Sequence, residues 1–234
     1  MRESWNQDDL GLLFSSPLYT GCQSPYKRHL PGSSVSRDAL YWVPLVVTCT
    51  GLRLSEICQL QVRHLKRDDV TGIWFIDLFD RHIQLLHASQ KRRVPLPNAL
   101  LELNIVSLLH IGRERVAPLF DLGAKPFDRG GEVIAERFKR YCSSFDSAQQ
   151  FETTVALHKS ERGLQSLRSY FYEELRGRGV AKRCAETLLG NQSEPQGICP
   201  FGDKLRLEVL KQEIERAILP INIPHLASIP ERIE

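Results

Sequence analysis

Apolar residues recur at helical spacing over residues 37–50, where Leu40, Trp42, Val43, Leu45 and Val46 form one continuous surface, and the pattern predicts a helix. Gly51 stands where it would end that helix, while Pro44 inside it is expected to kink or restart it. A second helix is predicted over residues 55–64, with Ile57, Leu60 and Val62 available for the core. The pattern then changes. Ile73-Trp-Phe-Ile-Asp-Leu is aromatic and β-branched, Arg92-Arg-Val-Pro-Leu is short and extended, and residues 82–87 offer a candidate strand between them, which together predict a small antiparallel sheet. Helical patterns follow over residues 98–115, 132–142, 164–176, 181–189 and 205–218, and the Gly177-Arg-Gly179 turn separates two of them. The expected fold class is mainly α with a small antiparallel β-sheet, an α+β arrangement.

Residues 1–36 carry Pro17, Gly21, Pro25, Pro31 and Gly32, an irregular stretch that reads as a leading arm with one short helix over residues 7–14. Residues 37–219 hold the domain, and residues 220–234, with Pro220, Pro224 and Pro230, form an extended tail. The chain contains 42% hydrophobic and 25% charged residues, which suits a soluble globular protein. No apolar run approaches the roughly 20 residues that cross a bilayer, and the first residues lack the apolar core of a signal peptide, so a cytoplasmic protein without membrane contact is expected. The six cysteines, at 22, 49, 58, 142, 184 and 199, form no CxxC pair and no cluster with histidine at ligand spacing, so neither a metal nor a cofactor is expected.

A formal charge of +3 neither demands nor excludes nucleic acid, and the placement of the charge is more informative than its sum. One basic block is Lys91-Arg92-Arg93, and a second gathers Arg162, Arg168, Arg176, Arg178, Lys182 and Arg183. Taken alone, such blocks are ordinarily solvated faces and turns.

Three segments change that weighting. Thr48-Cys-Thr-Gly-Leu-Arg-Leu-Ser-Glu-Ile-Cys-Gln-Leu, Leu164-Gln-Ser-Leu-Arg-Ser-Tyr-Phe and Leu188-Leu-Gly-Asn-Gln-Ser follow one another in an order that resembles the catalytic domain of the tyrosine recombinases, the phage integrase family. The resemblance covers residues 37–217 and implies that family's helical bundle with a three-stranded sheet. It also implies a site in which two arginines hold the nonbridging oxygens of a DNA phosphate, a lysine and a histidine move protons, and a tyrosine attacks. A planar fork of donors suits that task, since it matches a phosphate and stabilises the charge that grows on it.

Residue by residue, the resemblance assigns Arg53 and Arg168 to the phosphate-binding arginines and Glu56 to the acid that supports Arg53; the two arginines are expected to converge although they lie on separate helices. Gln165 stands at a histidine position, Asn191 at a position of histidine or tryptophan, Leu86 near that of the hairpin lysine, and Phe201 at the nucleophile. A phenyl ring has no attacking oxygen, and glutamine, asparagine and leucine do not titrate. The implied function is that of a degenerate site-specific integrase domain that contacts the DNA backbone through its arginines and Lys91, Arg92 and Arg93, with strand cleavage lost. Two alternatives stay open: an active recombinase whose nucleophile is supplied elsewhere or was engineered away, and a non-catalytic subunit that joins other recombinase subunits through its C-terminal segment.

Overall fold

The fold was analysed in a computed structural model that describes residues 5–85, 90–109, 114–122, 130–149, 157, 163–191 and 203–217, the side chains of 203–206 excepted. Helices α1 (Gln7–Phe14) and α2 (Pro17–Thr20) lead into a hairpin of β1 (Cys22–Ser24) and β2 (Lys27–Pro31). Helices α3 (Ala39–Thr50) and α4 (Leu54–Ile57) follow, then the antiparallel strands β3 (Leu65–Arg67), β4 (Trp74–Asp77) and β5 (Arg93–Pro95) in that spatial order. The remainder is helical: α5 (Asn98–Glu102), α6 (Gly130–Gln149), α7 (Leu164–Gly177), α8 (Lys182–Leu189) and α9 (Asp203–Ile214). The described residues are thus mainly helical with two small antiparallel sheets, an α+β fold. None of their helices is long and apolar enough to cross a membrane.

Helix α3 is the axis of the core. The Asp38 carboxylate accepts from the backbone N–H groups of Leu40 and Tyr41 and starts the helix, and its last turn packs against α7. Pro44 neither ends nor divides it. Proline inside a helix costs about 3 kcal/mol, whereas burying each of Val43, Leu45, Val46 and Val47 completely contributes about 1.5–3 kcal/mol. Burial decides the outcome.

The leading stretch is packed into this core as well. Trp5 donates through Nε1 to Ser166 Oγ at 2.9 Å, and the Tyr141 hydroxyl donates to Ser16 Oγ at 2.6 Å while accepting from the Leu18 N–H at 3.2 Å. Helix α1 lies where its pattern predicts it, but residues 17–31 add a helical turn and a hairpin that their Pro- and Gly-rich composition conceals.

Elsewhere non-local pairing overrides local pattern. The helix expected over residues 55–64 is only the one-turn α4, because the Leu60 carbonyl accepts from the Leu119 N–H and the Val62 N–H donates to the Ala117 carbonyl. A 3-10 turn at Val62–His64 then delivers β3, which supplies the third strand of the sheet. Residues 82–85 are no strand: Asp80 accepts from the His82 N–H and the chain turns there. Asn104, at φ 58°, breaks the helix expected over residues 98–115 into α5 and a 3-10 segment at Ile105–Leu109. Within the sheet Ile76 stands opposite both Leu65 and Val94, and all three are buried.

Candidate functional site

Every α-helix ends with carbonyls that have no partner within it, and these carry the negative end of the helix dipole. At the end of α8 the chain turns through Gly190 at φ 65°, and the Asn191 N–H returns to the Glu186 carbonyl at 3.0 Å. Three successive carbonyls are thereby left pointing outward, and each accepts from an arginine of a different part of the chain. Leu188 takes Arg92 Nε at 2.8 Å, Leu189 takes Arg168 Nη2 at 2.7 Å, and Gly190 takes Arg53 Nη2 at 3.1 Å. Arg53 stands at the start of α4, Arg168 on α7, and Arg92 immediately before β5.

Asn191 joins two of them. Its Oδ1 accepts from Arg53 Nη2 at 2.8 Å and from Arg168 Nη2 at 2.6 Å. Guanidinium groups only donate, so the amide oxygen must face them. Arg53 and Arg168, separated by about half the chain in sequence, therefore converge on one acceptor atom. Gln165, exposed one turn before Arg168, reaches the same rim and accepts from the Leu54 N–H at 3.4 Å.

Glu56 supplies the negative charge. Its two oxygens take the fork of Arg92 at 2.8 and 2.9 Å, and they also accept the Arg53 backbone N–H at 2.8 Å and Arg53 Nη1 at 3.2 Å. Burial alone would raise this carboxyl, but the Arg92 fork, with Arg53 behind it, holds it below its ordinary value. Among the described residues, three guanidinium groups share this one carboxylate, an excess of two positive charges. Arg168 carries the consequence: burial, then repulsion from Arg53, pushes its pKa down to about 10, with Glu56 opposing and Arg92 adding to the shift. Its Nη1 is buried and finds no hydrogen-bond partner among the described residues.

Arg92 differs from its two neighbours. It is 3% exposed and gives four hydrogen bonds, to Glu56, the Leu188 carbonyl and the Gln90 carbonyl, so it is not available to a phosphate on the surface. Lys91 is exposed, whereas Arg93 is half-buried with its guanidinium 5.3 Å over the Phe75 ring. Of the expected contact residues Lys91, Arg92 and Arg93, Arg92 is turned inward: extended backbone sends it to the same face as Val94 and Leu96. That alternation is visible in the sequence and marks Arg92 as the partner that a buried Glu56 requires.

The expected positions Leu86 and Phe201 lie outside the described residues. No group of three or more potential metal ligands occurs among the described residues. What the cluster offers chemically is a rigid array of donors around an excess of positive charge, which suits an oxyanion. Among the described residues its hydrogen-bonded side chains include no lysine, histidine or tyrosine, and Gln165 and Asn191 contribute amides that exchange no proton at neutral pH. No protein-family model, curated protein or solved structure matches the chain.

Proposed function

We propose that this chain binds the phosphate backbone of DNA as a tyrosine-recombinase-type domain that has lost strand cleavage. The observation that carries the reading is the convergence of Arg53 and Arg168 on one acceptor, in a cluster whose positive charge, among the described residues, a single carboxylate does not balance. A phosphate diester supplies the missing negative charge and oxygen acceptors for both forks. Amides at Gln165 and Asn191, with Phe201 at the position of the nucleophile, explain why binding would persist without chemistry.

Backbone contact of this kind releases condensed counterions, so duplex affinity should fall steeply as salt rises, with little preference among sequences. Substituting both Arg53 and Arg168 by alanine should lower the slope of log affinity against log salt by about one, the share of a single phosphate. Salt-insensitive binding, or strong preference for one sequence, would overturn the reading. An adduct gel on a nicked duplex should show no covalent product from the chain, and Phe201→Tyr alone should restore little, because general acid or base help worth about a hundredfold or more stays absent.

A further inference from the structure

Resting on the reading of this cluster as a receiver of phosphate, we infer that Asn191 is its internal occupant: the side-chain amide oxygen takes the donors that a phosphate oxygen would take, and so sets the affinity of the site. Arg53 Nη2 has two hydrogens, one given to the Gly190 carbonyl and one to Asn191 Oδ1. Arg168 Nη2 divides its pair the same way, between the Leu189 carbonyl and Asn191 Oδ1. The carbonyls belong to the helix end and cannot leave. Asn191 can, because the residue is exposed and its backbone is fixed through the Glu186 carbonyl independently of its side chain.

An uncharged acceptor is a weak occupant. It satisfies the geometry of both forks without neutralising either, so the two guanidinium groups still repel each other beneath it. A phosphate oxygen carries charge and makes the stronger hydrogen bond, and it displaces the amide at a cost set by the two bonds broken. The residue thus separates two properties that an ordinary structural contact moves together. Removing its oxygen weakens the folded chain and frees the site, whereas converting it to a carboxylate strengthens the folded chain and closes the site.

The test compares the full chain with Asn191→Ala and Asn191→Asp, using fluorescence anisotropy of a labelled duplex at low salt and thermal unfolding with and without inorganic phosphate. Asn191→Ala should unfold at lower temperature yet bind duplex about tenfold tighter, and phosphate should raise its unfolding temperature more than that of the unaltered chain. Asn191→Asp should unfold at higher temperature, bind about tenfold more weakly and lose its response to phosphate. Should the alanine variant not fold, Asn191→Ser, whose hydroxyl stops one bond short of the amide oxygen, should move affinity in the same direction. Equal or weaker binding by the alanine or serine variant overturns the inference and leaves the DNA reading standing. If the unaltered chain binds no duplex and Asn191→Ala does not rescue binding, the DNA reading fails and the inference falls with it.

Discussion

Helices α3 and α8 end in the same backbone geometry and are closed by opposite chemistry. Gly51 after α3 and Gly190 after α8 both stand at φ 65°. At the first end the partners are local and neutral: Thr50 Oγ1 donates to the Val46 carbonyl at 2.5 Å, the Gly51 N–H returns to Val47, and the Phe171 ring covers the glycine. At the second end the last carbonyls are held by arginines contributed from α4, from the approach to β5 and from α7. A helix closed by its own side chains and a ring is indifferent to charge. One closed by guanidinium groups depends on whatever balances them, and within the described residues the hydrogen-bonded balance is Glu56.

The largest expected effect follows from that dependence. Glu56→Gln keeps the shape but leaves buried Arg92 without its counter-charge, and breaking a buried pair from one side costs about 3–5 kcal/mol. Urea unfolding at neutral pH measures it. Acid should act in the same direction. Because the folded protein holds the Glu56 carboxyl below its ordinary value, the pair stabilises fully above that ordinary value, and its contribution is lost as pH falls through the depressed folded value. In Glu56→Gln this part of the acid dependence should vanish. An unfolding free energy within 1 kcal/mol of the unaltered chain would show that the end of α8 does not rely on this carboxylate.

The two glycines sharpen the contrast. A Cβ at position 190 would lie 2.4 Å from Arg92 Nη1 and 2.8 Å from its Cζ, atoms fixed by Glu56 and the Leu188 carbonyl. At position 51 it would meet the Phe171 ring at 2.6 Å. Both alanine variants pay for the left-handed backbone, about 1–2 kcal/mol, plus about 1–3 kcal/mol of overpacking. Only Gly190→Ala should also change the salt slope of duplex binding, since it displaces the arginine cluster. Equal slopes in the two variants would detach that cluster from DNA.

These differences set what the sequence discloses. Local apolar spacing makes α3, α7 and α8 legible almost to the residue, because α3 is buried nearly throughout while α7 and α8 each bury one face. The motif around Arg53, Glu56 and Arg168 is legible as a resemblance, and their expected convergence is met in space. Local pattern does not reveal β3, since Leu65 becomes a strand residue only through Ile76. Nor does it reveal that the charge of Glu56 goes chiefly to Arg92, 36 residues away in sequence. Arg92 reads as a surface cation within a basic triplet until its alternation with Val94 and Leu96 is weighed against the isolated acid it must meet.

The smallest effect tests the neutral side of the comparison. Aromatic rings of Phe14 and Tyr19 and, from the first turn of α3, of Tyr41 and Trp42 pack in series, with successive centroids 5.1 Å apart. Within this layer the Tyr19 hydroxyl and Trp42 Nε1 are buried without partners among the described residues. Each ring buries about 150–250 Å², which at about 25 cal/mol per Å² outweighs an orphaned polar atom costing about 1–3 kcal/mol. The polar atoms left unanswered in this layer belong to neutral groups, whereas the one at the end of α8, Arg168 Nη1, belongs to a charged group. Tyr19→Phe removes only the orphaned oxygen and should be neutral or stabilising by up to about 1 kcal/mol. Tyr141→Phe removes an oxygen that Ser16 and the Leu18 N–H both use, at 2.6 and 3.2 Å, and should cost about 1–2 kcal/mol. Paired urea titrations decide between them: a Tyr19 variant that loses as much as the Tyr141 variant would mean that its hydroxyl is answered after all, and the two ends of the molecule would then obey one rule.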